Sequence, residues 1–156
     1  ADGHPIDTCV ECKDGPAAVG GHSVYKQSAV LHSDDDGRSW SGPRIVTGWI
    51  QQTGCIVVLS DGTVVLPLSR KDGTHGQRFI VSYDRGETWS KAIWELNDCG
   101  MYASSVVMPD DTIVTVHDGL RDKASGRRVS ALRWQAPPKA EVEKHGFFTP
   151  AMAETA

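Results

Sequence analysis

The chain is short of paired cysteines. Cys9 and Cys12 form a lone C-x-x-C, and Cys55 and Cys99 stand apart from it. A structural zinc site wants a second pair at similar spacing, so no metal is expected. A thioredoxin-like motif wants a βαβ setting, which this sequence lacks. What remains is thiols on strands, with a Cys55–Cys99 disulfide as an open alternative. The apolar runs are no longer than a strand, which excludes a transmembrane helix and predicts no membrane partner. No signal peptide is visible at Ala1. Charge of one sign is also missing. The net charge is only −4, so bulk charge gives no reason to expect a nucleic-acid partner. No cofactor is expected.

What is present is turn chemistry. Five Trp, sixteen Gly and several Asp-Gly or Asp-Asp pairs suit an all-β protein. One phrase occurs twice. Ser33-Asp34-Asp35-Asp36-Gly37-Arg38-Ser39-Trp40 reads S-x-D-x-G-x-S-W, and Ser82-Tyr83-Asp84-Arg85-Gly86-Glu87-Thr88-Trp89 reads S-x-D-x-G-x-T-W. An Asp carboxylate accepts amides of its own turn. The Gly supplies a left-handed backbone, the hydroxyl residue ties down another amide, and the Trp folds back as an apolar lid. The step from Ser33 to Ser82, and from Trp40 to Trp89, is 49 residues. Leu59-Ser60-Asp61-Gly62-Thr63 is echoed by Met108-Pro109-Asp110-Asp111-Thr112 at the same 49-residue step. Two landmarks sharing one period predict a true repeat, and a period of this size filled with short strands predicts propeller blades.

Taken in order, the chain predicts one domain spanning 1–156, with units at about 5–50, 54–97 and 102–135 and a tail at 136–156. In the first unit, strands are expected at Thr8–Cys12, from Pro16, at Gln27–Ser33 and at Arg44–Trp49. In the second they are expected at Cys55–Leu59, Thr63–Leu68, Gln77–Ser82 and Ala92–Leu96, with Arg70–Gly76 a polar loop. In the third, Ala103–Met108 and Thr112–His117 form a hairpin, Asp118–Gly126 is a second polar loop, and Val129–Trp134 is a strand. After Pro137-Pro138, Lys139–His145 reads as a short C-terminal helix stopped by Gly146. The Phe147–Ala156 tail is expected to pack through its two Phe and then fray.

The repeated phrase resembles the Asp-box, or BNR repeat, of sialidases and related six-bladed β-propellers. Both copies keep the Ser, Asp, Gly, Ser/Thr and Trp positions. The resemblance implies four-stranded antiparallel blades, about three of them here, and a structural role for Ser33, Asp35, Gly37, Ser39 and Trp40 and for Ser82, Asp84, Gly86, Thr88 and Trp89. It places those turns on the face away from the active site. In that family a Tyr paired with a Glu is the nucleophile, an Asp is the acid/base, and three Arg grip the substrate carboxylate.

Carried over by residue, the stretch Cys55–Arg70 looks like a blade whose second strand is closed by an Arg, making Arg70 a candidate carboxylate ligand. Gly100–Val106 looks like the late blade opening with the nucleophile, making Tyr102 the catalytic candidate. Arg121, in a comparable loop, and His117, at a strand end, are the remaining substrate-binding candidates. Gln51-Gln52-Thr53 stands where the Glu is expected, and an amide cannot act as that base. The acid Asp is not found either. The expectation is therefore a glycan-directed, sialidase-like protein, resembling a glycoside hydrolase without its full catalytic set. The rival is a non-catalytic carbohydrate- or protein-binding or assembly module, and a third alternative is a part of a longer enzyme. Three blades leave open faces, so the expected partner is a second copy, a homodimer completing one ring.

Overall fold

The structure, a computed structural model, describes residues 5–6, 27–48, 51–71, 75–122 and 126–153. The strands are β1 Pro5–Ile6, β2 Ala29–Val30, β3 Arg44–Ile45, β4 Gln51–Gln52, β5 Val57–Val58, β6 Val64–Lys71, β7 His75–Ser82, β8 Trp89–Ser90 and β9 Ile93–Glu95. They continue with β10 Ala103–Val107, β11 Ile113–Asp122 and β12 Gly126–Trp134, then helix α1 Lys139–Glu143, and finally β13 Phe147–Phe148 and β14 Ala151–Met152. Among the described residues the fold is all-β apart from α1, and every pairing is antiparallel.

Three sheets follow one another through two apolar clusters. The central sheet runs β1-β9-β7-β6-β4, with β5 also on β6. Side chains alternate across a strand. Val65, Phe79, Val81 and Trp94 therefore face the β10-β11-β12 sheet, where they meet Ile113 and Trp134 with Val142 of α1. Leu66, Leu68, Ile80 and Ile93 face the β2-β3-β14 sheet and meet Val30, Val46 and Trp89. Phe79 stacks on Trp94 at 6.3 Å and leans on Trp134 at 4.5 Å between ring centres. With both faces covered, Val64–Leu68 of β6 and Phe79–Val81 of β7 read as continuous apolar runs.

The two repeated turns have the same hydrogen bonds. Asp35 accepts the Ser39 amide at 2.8 Å and hydroxyl at 2.7 Å, while Ser33 Oγ takes the Gly37 amide at 2.7 Å. Asp84 accepts the Thr88 amide at 2.8 Å and hydroxyl at 2.6 Å, while Ser82 Oγ takes the Gly86 amide at 2.7 Å. Each Trp indole donates to the carbonyl of its Gly. Asp36 and Gly37, and likewise Arg85 and Gly86, adopt positive φ. The Ser39 amide, with the hydroxyls of Ser39 and Ser33, holds the Asp35 carboxyl below the usual range. Burial pushes Asp84 up, but the Thr88 hydroxyl and amide and the Ser82 hydroxyl outweigh it and hold it low.

The sheets are also tied to one another at this turn end. Asp111 accepts the amide and hydroxyl of Ser60. Arg44 donates to Glu87 and to the Gly86 carbonyl. Asp111, at a φ of 59°, takes the left-handed position that Gly62 holds in the preceding unit.

Several expectations are corrected. Gln27–Ser33, Cys55–Leu59 and Ala92–Leu96 shrink to β2, β5 and β9, and of the Arg44–Trp49 expectation the described residues, up to Gly48, hold β3. The polar loops Arg70–Gly76 and Asp118–Gly126 are mostly strand. The β6–β7 ladder continues through Arg70↔Gly76 to Lys71↔His75, and β11–β12 continues to Asp122↔Gly126 past a bulge after Asp118. Backbone pairing overrides the polar character of these residues there. Pro5–Ile6 joins the central sheet beside β9 rather than the first unit. As far as it is described, to Ala153, the tail stays ordered beyond its Phe residues: β13 pairs with β8, and β14 pairs with β3. The helix forms over Lys139–Glu143, and Gly146 has a φ of 77°. Tyr83 donates to the Pro137 carbonyl at 2.9 Å, fixing the exit of the chain, and burial pushes its phenol up to about 12. Expectations for Thr8–Cys12 and from Pro16, with Cys9 and Cys12, lie outside the described residues.

The two lids differ sharply in burial. Trp89 is 1% exposed in its cluster, whereas Trp40 is 61% exposed. Trp89→Ala is expected to cost about 3–5 kcal/mol, and Trp40→Ala about 1 kcal/mol or less. Urea unfolding of the two variants checks this, and equal losses would contradict the asymmetry.

Candidate functional site

The turns lie at one end of the sheets and the candidate residues at the other. Val64 pairs with Ser82 at the turn end of the β6–β7 ladder, and Arg70 pairs with Gly76 at the far end. In the neighbouring sheet, Val107 pairs with Ile113 near the Asp111 turn, and Ala103 pairs with His117 at the far end. Thr53 bridges the two far ends, its hydroxyl contacting Ser69 Oγ at 2.7 Å and the Met101 carbonyl at 3.2 Å. Only donation can satisfy a carbonyl, so Thr53 donates to Met101 and Ser69 donates to Thr53.

Between these sheets the core changes from apolar to polar along its length. On β6 the inward positions read Val65, Pro67, Ser69; on β7, from the same end, Val81, Phe79, Gln77; on β11, Ile113, Thr115, His117. Trp134 Nε1 donates to Thr115 at 2.9 Å, and Thr115 and Ser105 share a hydrogen bond of 2.8 Å. Beyond them the polar groups form a chain. The Gln77 amide donates to Asn97 Oδ1 at 3.0 Å, and Asn97 Nδ2 meets His117 Nε2 at 2.9 Å. His117 Nδ1 meets the Asp118 carbonyl at 3.0 Å. Asn97 Nδ2 can only donate and a carbonyl can only accept, so the bonds specify a neutral His117 carrying its proton on Nδ1. Asp118 Oδ1 then accepts the Met101 amide at 2.5 Å and the Tyr102 amide at 2.9 Å.

Arg70, Tyr102 and His117 thus belong to one end of the fold, but their exposures differ. Arg70 is half-buried at the end of β6, and Tyr102 is exposed just before β10. His117 is 2% exposed with both ring nitrogens engaged, the arrangement of a core residue rather than a ligand contact. Arg121 does not lie in a loop; it stands within β11, paired with Arg127, at the same end. Gln51 and Gln52 form β4, opposite Arg70 and Ser69, and buried Gln51 Oε1 has no hydrogen-bond partner. The fully buried Gln77 side-chain amide also has none.

Cys55 and Cys99 are free thiols, so the open disulfide alternative is corrected. Burial, with Asp98 and Asp118 adding to it, pushes the Cys99 thiol up, away from a reactive thiolate. Among the described residues, no group of three or more His, Cys, Asp and Glu could hold a metal ion, and no helix is long and apolar enough to cross a membrane. The residues that sequence reasoning missed are Thr53, Ser69, Gln77, Asn97 and Asp118. Ser69 and Gln77 carried a signal, as polar residues in line with the apolar inward positions of their strands, whereas Thr53, Asn97 and Asp118 carried none.

Two curated proteins match part of this chain. A sialidase of Paraclostridium sordellii is 31% identical over 80 residues, covering 39% of this chain and 20% of its own length. A sialidase of Clostridium perfringens is 30% identical over 80 residues, covering 39% of this chain and 21% of its own. The chain spans about a fifth of the length of these relatives. The matches support a sialidase-family relationship. No family model matches the chain, and no solved structure matches it.

Gly100 packs over this polar chain. Its φ is 79°, and a Cβ built there would collide with the His117 ring and the Asp118 carbonyl. Gly100→Ala should therefore destabilise the fold by at least the ~1–3 kcal/mol of a strained backbone position. Thermal unfolding checks this, and a variant as stable as the parent would contradict the close packing.

Proposed function

We propose that this chain is a portion of a sialidase-like Asp-box propeller, directed at glycans that carry a carboxylate. In this reading Arg70 grips the carboxylate, Tyr102 contacts the sugar beside it, and Arg121 of β11 is the further substrate-binding candidate. A guanidinium fork matches a carboxylate bidentately, which makes Arg the natural reader of an acidic sugar. The observation that carries the proposal is the segregation of the fold: the repeated turns occupy one end, and Arg70 and Tyr102 occupy the other. The relatives named sialidase agree with it. Hydrolysis is not part of the proposal for the isolated chain. Gln51-Gln52-Thr53 stands where a Glu is needed, and an amide has no basic oxygen to offer.

The expected outcome is no turnover of a fluorogenic sialoside, together with binding of 3′-sialyllactose followed by NMR titration. Arg70→Ala should weaken that binding roughly ten- to a hundredfold, the loss of one charge-assisted contact. No binding by the parent chain would sink the glycan reading. Turnover abolished by Tyr102→Phe would replace it with an active hydrolase.

A second reading, a non-catalytic assembly module, is favoured by one surface. Val106, Val116 and Val129 stand exposed on the outer face of the β10-β11-β12 sheet, with Ala131 paired to Val116. By register, this face corresponds to the face of the central sheet that carries Val57, Val65 and Phe79, which is covered. Two copies closing one ring of six sheets would cover it, with an interface beyond about 2,000 Å². Light scattering at micromolar concentration is expected to give the dimer mass, and a soluble, monodisperse monomer would overturn the ring.

A further inference from the structure

We infer that Asp118 is the positioning residue for Tyr102, holding the turn that presents the phenol at the candidate site. The inference rests on the reading above that Tyr102 touches the ligand. Tyr102 is 57% exposed, and it stands one residue ahead of β10, where the strand's own ladder has not yet begun. A ring so placed needs its backbone fixed from elsewhere. Asp118 supplies this through one carboxylate oxygen, which accepts two successive amides, Met101 at 2.5 Å and Tyr102 at 2.9 Å. A carboxylate is the strongest acceptor for two amides at once. The Asp118 amide donates back to the Tyr102 carbonyl at 3.2 Å. Tyr102 is thereby held through both its amide and its carbonyl by a single residue of β11.

The clamp is itself braced. The Asp118 carbonyl receives the His117 Nδ1 proton, His117 Nε2 is fixed by Asn97, and Asn97 is fixed by the Gln77 amide of the central sheet. Thr53 secures the Met101 carbonyl from the other side. Gly100, with no side chain, lets the turn lie directly on the His117 ring. His117 thus acts through Asp118, which explains a histidine within β11 whose ring faces the core. Binding gains from such an arrangement because the ordering is completed in the free protein.

The test uses the whole chain with 3-fluorotyrosine incorporated, the Tyr102 resonance being assigned with Tyr102→Phe. In the parent, the Met101 and Tyr102 amides should be protected from hydrogen exchange, and Tyr102 should give one sharp fluorine signal. Amides that exchange at the rate of an unstructured segment would overturn the clamp without any variant. Asp118→Ala should broaden or split the fluorine signal and weaken 3′-sialyllactose binding roughly tenfold. Asp118→Asn, which keeps an oxygen acceptor, should restore a single signal and most of the affinity. A merely structural Asp118 would lower thermal stability and leave the fluorine signal and the affinity per folded molecule unchanged, and that result overturns the inference. Failure of the parent chain to bind sialyllactose would count against the glycan reading, while the exchange and fluorine measurements still judge the clamp.

Discussion

Burial of the central sheet on both faces is the constraint to which the other parts conform. Val65, Phe79 and Val81 need one apolar neighbour, and Leu66, Leu68 and Ile80 need another. Neither demand can be met by the β6–β7 hairpin itself, because alternate residues always point to opposite sides. The β2-β3-β14 sheet and the β10-β11-β12 sheet answer these demands from either side. Their positions then decide where Trp89 is buried, where Trp134 reaches Phe79, and which end of the stack keeps its hydroxyls and amides.

The fixed step between repeats has a physical origin in the same stacking. Each unit must place a hairpin turn beside the hairpin turn of the unit before it, as Asp111 does beside Ser60. The first two units also place a carboxylate beneath a turn of defined hydrogen bonds, as Asp35 and Asp84 do. The turn is carried by its residues alone, so it survives in the first unit even where Trp40 stands in solvent. A local motif and a buried one can thus share a sequence while contributing very different amounts to stability.

The turns were legible in the sequence because their chemistry is local: Asp, Gly and a hydroxyl residue satisfy one another within a few positions. The strands of the central hairpin were legible because their apolar runs are long. The strand extensions through Arg70–Lys71 and Leu120–Asp122 were not, since polar residues look like a loop until the partner strand is known. The short strands β13 and β14 were hidden for a related reason, as pairs such as Phe147↔Ser90 and Ala151↔Ile45 join residues far apart in the chain. At the candidate site, Arg70 and Tyr102 were visible through resemblance, whereas Asp118 was read as a loop residue. Its role depends on amides sixteen and seventeen positions upstream, Tyr102 and Met101. His117 was read as the end of a strand, whereas β11 runs on to Asp122, and no pattern announced Asn97 as the partner that turns its ring into the core.

The return of the tail has a mechanical meaning. β14 is attached to β3 by two residue pairs, and β13 to β8 by two more, whereas β6 and β7 share eight. Near the other terminus, β1 is held to β9 by two pairs. Tension applied through the chain ends would therefore reach these small latches before it reached the long central hairpin. The stack would shed its peripheral strands one after another, and the load would come to the doubly buried sheet last.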